Sequence, residues 1–85
     1  MFFLYSTVGC HLCDDALIVL HSLQTLLKRQ GVEWGFDVLD ISDDARLFKR
    51  YGVRIPVLHF SGSDVDLGWP FDLPSAQRYV LSQIA

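Results

Sequence analysis

With 85 residues, 51% of them hydrophobic and 20% charged, the chain is long enough for one domain and too apolar to be a disordered or tail segment. A net charge of -3 and a pI near 5.3 argue against a nucleic-acid partner, which would require Lys and Arg gathered against phosphates. No run approaches the ~18 consecutive apolar residues of a membrane span, and no basic region precedes Met1-Phe2-Phe3-Leu4-Tyr5, so the expectation is a cytoplasmic protein without a membrane partner.

Residues 2–7 form an apolar, aromatic run closed by Val8-Gly9, which reads as a strand buried on both faces. Residues 12–30 follow a helical period. Leu12, Ala16, Val19, Leu20, Leu23, Leu26 and Leu27 fall on one arc, and Asp14, Asp15, Ser22, Thr25, Lys28 and Arg29 on the other, with Ile18 outside the pattern. Acids open this helix, bases close it, and Gly31 stops it. Residues 32–39 alternate, with Trp34, Phe36 and Val38 on one side, and predict a second strand parallel to the first through a right-handed crossover. Ser42 reads as the N-cap of a short helix over 43–51, stopped by Gly52. A strand starting at Pro56 and running to 61, a tight turn through Ser61-Gly62-Ser63-Asp64, and a strand over 65–69 predict a hairpin. Asp72 or Leu73, with Pro74 in the first turn, opens a last helix to Ile84 whose apolar side is Ala76, Tyr79, Val80 and Ile84. The order is βαβαββα.

The two cysteines stand three positions apart in Cys10-His11-Leu12-Cys13, too local to staple a fold and too few for a secreted disulfide framework. They sit where the first strand passes into the first helix. A cysteine at a helix N-terminus or in a Cys-x-x-Cys motif titrates at roughly 3.5 to 7.5 instead of near 8.5, and the thiolate is the attacking species. Cys13 lies at the edge of the apolar arc and Cys10 about 60° further round, which makes Cys10 the exposed nucleophile and Cys13 the shielded resolving thiol. The plain alternatives are half of a metal site or two reduced thiols without chemistry. Zinc would need two further ligands, and the candidates are His11, His21 and His59, with no second paired motif. His11 can support a thiolate at Cys10 as an imidazolium or stand as a solvated loop residue. His21 reads as a surface residue, and His59 as a satisfied histidine in the core.

The segment Arg54-Ile55-Pro56 follows a helix and begins a strand in a chain that already carries a redox motif. Together with the opening strand into Cys10-His11-Leu12-Cys13, the Asp37-Val38-Leu39-Asp40 segment and Tyr51-Gly52-Val53-Arg54-Ile55-Pro56-Val57-Leu58, it resembles the glutaredoxin-like branch of the thioredoxin fold over nearly the whole chain. The resemblance implies that Pro56 is cis and faces the sulfurs. It also implies that the backbone of Ile55 pairs with a substrate peptide or glutathione as an added strand. Glutathione in such proteins also meets a glycine-containing turn, where Gly68-Trp69-Pro70-Phe71-Asp72 stands here. The usual paired glycines are absent, Pro70 removes an N–H, no Lys or Arg precedes Cys10, and Asp14 and Asp15 follow the motif. Glutathione is therefore a candidate co-substrate, and a protein disulfide reached across Pro56 and Trp69 suits the local charge at least as well. Trp69 also reads as an ordinary core aromatic.

The resulting expectation is an α/β chain with a single-domain thioredoxin fold, its four-stranded mixed sheet ordered 2-1-3-4 and flanked by three helices. Its function reads as a thiol–disulfide oxidoreductase with catalytic Cys10 and Cys13 and with His11, Ile55, Pro56 and Trp69 at the substrate. It needs no bound cofactor. Its partners are a protein or small-molecule disulfide and a donor, either glutathione or an enzyme of the thioredoxin-reductase type, and it acts as a monomer. The competing readings are a non-catalytic binding module using the Ile55-Pro56 edge, and a metal or iron–sulfur carrier.

Overall fold

β1 (Phe2–Ser6) is an inner strand of the sheet, as suits side chains that are apolar on both faces. The computed structural model describes residues 1–84. The other elements are α1 (His11–Arg29), β2 (Asp37–Asp40), α2 (Ala45–Tyr51), β3 (Val57–Phe60), β4 (Asp66–Gly68) and α3 (Leu73–Ile84). β1 pairs parallel with β2 and antiparallel with β3, and β3 pairs antiparallel with β4, so the sheet runs β2-β1-β3-β4. The element order and strand order are those expected from the sequence. Among the described residues, no helix is long and apolar enough to cross a membrane.

The two faces of β1 supply two cores. Phe2 and Leu4 face α1 and α3 with Leu20, Leu23, Leu27, Leu58, Ala76 and Val80, while Tyr5 joins Ile41, Tyr51 and Val57 on the α2 side. α1 buries Cys13, Ala16, Leu20, Leu23 and Leu27 at three- and four-residue spacing, and Ile18 is exposed. Leu12, expected on the apolar arc, is 49% exposed, because it stands in the first turn and is not packed on either core. After the helix, Gly31 takes φ 80, and Val32 N–H donates to Leu27 O at 2.8 Å, a left-handed stop that favours glycine.

β2 is shorter than the sequence pattern predicts, beginning at Asp37 instead of residue 32. The register explains it. Asp37 lies opposite Phe3, so Phe36 is level with Phe2, the first residue of β1, and residues 32–35 fall before its start and have no strand to pair with. Trp34 and Phe36 instead stack at 5.4 Å, with Phe2 edge-on to Trp34, and cover the end of the main core. Val38, expected on the same face, is exposed on the edge strand.

The N-cap of α2 is Asp44, not Ser42: its Oδ1 accepts from Arg46 N–H at 3.0 Å and Leu47 N–H at 3.1 Å. Ser42 is already engaged, donating N–H and O–H to Asp40 Oδ1, and these bonds hold the Asp40 carboxyl below its ordinary pKa. α3 is capped by Asp72, whose Oδ1 accepts from Ser75 N–H at 2.9 Å, and Ile84, expected on its apolar side, is 45% exposed at the helix end.

Tyr79 of α3 ties the hairpin to the helix layer. Its hydroxyl donates to Val65 O at 2.7 Å and accepts from Phe60 N–H at 3.0 Å. Tyr79→Phe strands the Phe60 N–H beside the core and should cost about 1–3 kcal/mol in urea unfolding. Burial pushes the Tyr79 and Tyr5 phenols above their ordinary pKa of 10.0, although in Tyr79 the Phe60 N–H works in the opposite direction. With folded pKa values above the unfolded ones, these phenols contribute stability that is present below pH 10.0 and lost as pH rises through the folded values. Urea midpoints should therefore fall in the alkaline range above pH 10.0, with a smaller fall in Tyr79→Phe.

Candidate active site

The carboxyl end of β1 delivers the cysteines. After Ser6 the chain turns through Val8, 92% exposed, and Gly9 at φ 80, then enters α1 at Cys10, which is the extended N-cap residue. Cys10 Sγ accepts a hydrogen bond from Cys13 N–H at 3.1 Å, so the sulfur occupies the place of a capping oxygen on the first free N–H groups of the helix. Cys10 and Cys13 are joined in a disulfide, with Cα atoms 5.2 Å apart. Cys10 is half-buried, whereas Cys13 is 3% exposed beneath it on the buried side of α1. His11, the first helical residue, is exposed, as are Asp14 and Asp15.

Strand register brings the remaining residues to the same end of the sheet. Ile41 N–H donates to Ser6 O at 3.0 Å, and the Tyr5–Val57 pair places Pro56 level with Ser6, the last residue of β1. Pro56 is fully buried, Ile55 is half-buried, and the peptide between them is cis. Trp69 N–H donates to Pro56 O at 3.0 Å, so the residue after β4 is fastened to the cis turn. The Trp69 ring is half-buried, edge-to-face on Phe71 at 5.0 Å and packed on the main core. Its peptide to exposed Pro70 is also cis.

One detail departs from the resemblance. Ile55 N–H donates to Tyr51 O at 3.0 Å, so in this conformation it is occupied by the last turn of α2 instead of being free for a guest strand. Added-strand pairing would begin on the Ile55 carbonyl.

The other histidines lie elsewhere. His59 is held on both sides: Ser63 O can only accept, so Nε2 donates to it at 2.8 Å, and Nδ1 accepts from the Tyr5 hydroxyl at 2.9 Å. His21 is exposed on α1, its ring 5.5 Å from that of Phe36. Among the described residues, no group of three or more His, Cys, Asp or Glu is placed to hold a metal ion.

Two features of this end were not found from sequence. Val8, Leu12 and Val53 are each exposed apolar side chains, Val53 at 99%. Arg54, next to Ile55, is bonded through both guanidinium nitrogens to the Asp66 carboxylate, which raises the Arg54 pKa, and Asp66 lies opposite His59 across the hairpin. The sequence carries no signal for this pair, because it depends on the β3–β4 register.

The Glutaredoxin-like domain (DUF836) family model matches residues 2–81. The chain is similar to the X-ray structure of the Northeast Structural Genomics target protein XcR50 from X. campestris, with a TM-score of 0.78 and 33% identity over 96% of this chain and 97% of that one. The solution structure of the same target gives a TM-score of 0.75 at 33% identity, over 95% and 92% of the two chains. No curated protein matches. A thioredoxin fold that carries a paired Cys10 and Cys13 at a helix N-terminus, and that the model matches over nearly all its length, belongs to the glutaredoxin-like domain family.

Proposed function

We propose that the protein is a thiol–disulfide oxidoreductase that shuttles between a Cys10, Cys13 dithiol and the disulfide seen here. The observation that carries this reading is the asymmetry of the pair: Cys10 Sγ sits on the Cys13 N–H at the mouth of α1, and Cys13 lies buried behind it. The unpaired N–H groups and the positive end of the helix favour the thiolate over the thiol at Cys10.

In the reduced protein, the Cys10 thiolate attacks one sulfur of a substrate disulfide. A Cys10–substrate bond forms, the substrate S–S bond breaks, and the other substrate sulfur leaves as a thiolate that takes a proton from water. The Cys13 thiol then loses its proton to solvent and attacks Cys10 Sγ, forming the intramolecular disulfide and releasing the second substrate thiol. Two electrons have passed to the substrate, and an external thiol or dithiol donor must return two to close the cycle.

The supporting experiment is alkylation of the reduced protein with iodoacetamide across pH. Cys10 should label well below pH 8 and much faster than Cys13, whereas slow, equal labelling that rises only above that pH would remove the redox reading. Asp14 stands one turn beyond Cys10, its N–H 3.4 Å from Cys10 O, and its charge opposes a thiolate there. Asp14→Asn should shift the Cys10 labelling curve down by about 0.5 pH unit, as expected for an exposed charge near a helix terminus.

The donor is separable by a coupled assay. We propose glutathione and an enzyme of the thioredoxin-reductase type as the two electron sources to compare. The acidic first turn and the absence of a cation before Cys10 favour the second over the tripeptide anion. The cytoplasm, where such donors keep thiols reduced, is the compartment this cycle suits. A pure binding module would hold its partner unchanged in Cys10→Ser and show no reduction in the wild type.

A further inference from the structure

Four of the chain's seven cations, Arg46, Lys49, Arg50 and Arg54, fall within nine residues that contain no acid, and outside them three cations face ten carboxylates. All four are exposed. Arg46 stands three and four residues before Lys49 and Arg50 on the outer side of α2, and Val53 follows just beyond the helix, while Leu47 and Tyr51 point into the α2-side core.

Helix electrostatics account for only part of this stripe. Lys49 and Arg50 stand in the last turn, where cations suit the dipole, but Arg46 stands in the first turn, where they do not, and Arg54 lies beyond the helix. The guanidinium groups are also positioned. Arg50 lies 5.4 Å and Arg54 5.5 Å from the centre of the buried Tyr51 ring, and Arg54 is fixed further by Asp66. Two large apolar side chains, Phe48 at 51% and Val53 at 99% exposure, stand among these charges. The patch then runs directly into Ile55-Pro56, at the end of the sheet that holds Cys10.

We propose that this α2 face is the docking surface for the substrate, a polypeptide whose disulfide is flanked on one side by carboxylates and an apolar residue. The proposal rests on the oxidoreductase reading and adds the chemical class of the substrate. Asp14 and Asp15 on α1 give the complex a polarity, because the acidic flank of the substrate belongs over α2 and not over the first turn of α1.

The test uses two disulfide-cyclised peptides of equal length, one with four Glu beside the disulfide and one with four Lys, with hydroxyethyl disulfide as an uncharged control. At low salt the Glu peptide should be reduced with a kcat/KM about tenfold above the Lys peptide, and the advantage should shrink at 0.5 M salt. The variant Arg46→Ala, Lys49→Ala, Arg50→Ala should lose that advantage while reducing hydroxyethyl disulfide as the wild type does. Lys28→Ala, Arg29→Ala, Arg78→Ala, which removes the same charge elsewhere, should keep it. Arg46→Gln alone, at an exposed position, should lose part of the advantage if the triple variant folds poorly. Binding of a Glu peptide with Ser in place of Cys separates the two claims. Absence of any turnover of hydroxyethyl disulfide removes the activity, whereas equal binding of Glu and Lys peptides, or equal losses in both triple variants, removes the docking surface.

Discussion

Cys10→Ser should reduce the proposed disulfide-reducing activity to the uncatalysed background, whereas Cys13→Ala should stop the cycle after its first step and leave substrate bound to Cys10. The difference follows from the positions of the two sulfurs. Cys10 Sγ is the atom at the helix mouth, and a serine hydroxyl there is not ionised at neutral pH and forms no sulfur–sulfur bond. Cys13 is 3% exposed, so a bulky substrate disulfide cannot reach it first. Alanine is the better replacement at position 13, because a serine hydroxyl at that depth would add a desolvation cost of about 1–3 kcal/mol and confuse a stability loss with a catalytic one. Mass spectrometry of the Cys13→Ala protein mixed with a disulfide substrate should show one adduct, on Cys10. An adduct on Cys13 in the Cys10→Ser protein with undiminished turnover would exchange the two roles, and equal inactivity without any adduct would leave the pair outside catalysis.

Much of the path to this site is legible in the sequence because the signals there are local. The period of Ala16, Leu20, Leu23 and Leu27 and the apolar run of β1 identify a strand feeding a helix, and Cys10 then falls at the junction between them. What is not legible depends on partners distant in the chain. The alternation of residues 32–39 is real in the sense that Trp34 and Phe36 do pack on the core, but the strand begins only where Phe3 offers a neighbour. Ser42 has the chemistry of a cap and loses the position because Asp40 captures its hydrogen bonds, leaving Asp44, two residues nearer the helix, as the cap. The Ile55 N–H is likewise taken by a group four residues earlier, Tyr51 O, through a turn that no side-chain pattern announces.

The cationic face of α2 illustrates a different limit. Its composition is plain in the sequence, where Lys49 and Arg50 read as the closing charges of a short helix. The fold alone shows that Tyr51 is buried beneath Arg50 and Arg54 and that Asp66 arrives beside Arg54 through the β3–β4 register. Position in the fold thus turns a helix-end signal into a surface that runs into Ile55-Pro56, at the end of the sheet where Cys10 stands, and the proposed dithiol cycle would give that surface a substrate to recognise.

Leu4→Ala should be the most damaging single truncation away from the cysteines, costing about 2–5 kcal/mol. Leu4 is 0% exposed, sits in β1 between Val38 of β2 and Leu58 of β3, and belongs to the core shared by α1 and α3. A chain of this size has a total stability of about 4 to 13 kcal/mol, so the loss removes a large part of it. The melting temperature should fall by roughly 10 °C or more. Ile18→Ala, on the exposed side of α1, is the internal comparison and should stay within about 0.5 kcal/mol of wild type. Because β1 carries the chain directly into Cys10, Leu4→Ala should also lose activity on warming in step with its unfolding curve, while its activity per folded molecule at low temperature stays near wild type. A cost below about 1 kcal/mol in urea unfolding would mean that β1 does not bury Leu4 against both helices. A loss of activity that precedes unfolding would mean that the junction at Cys10 responds to the core before the rest of the fold does.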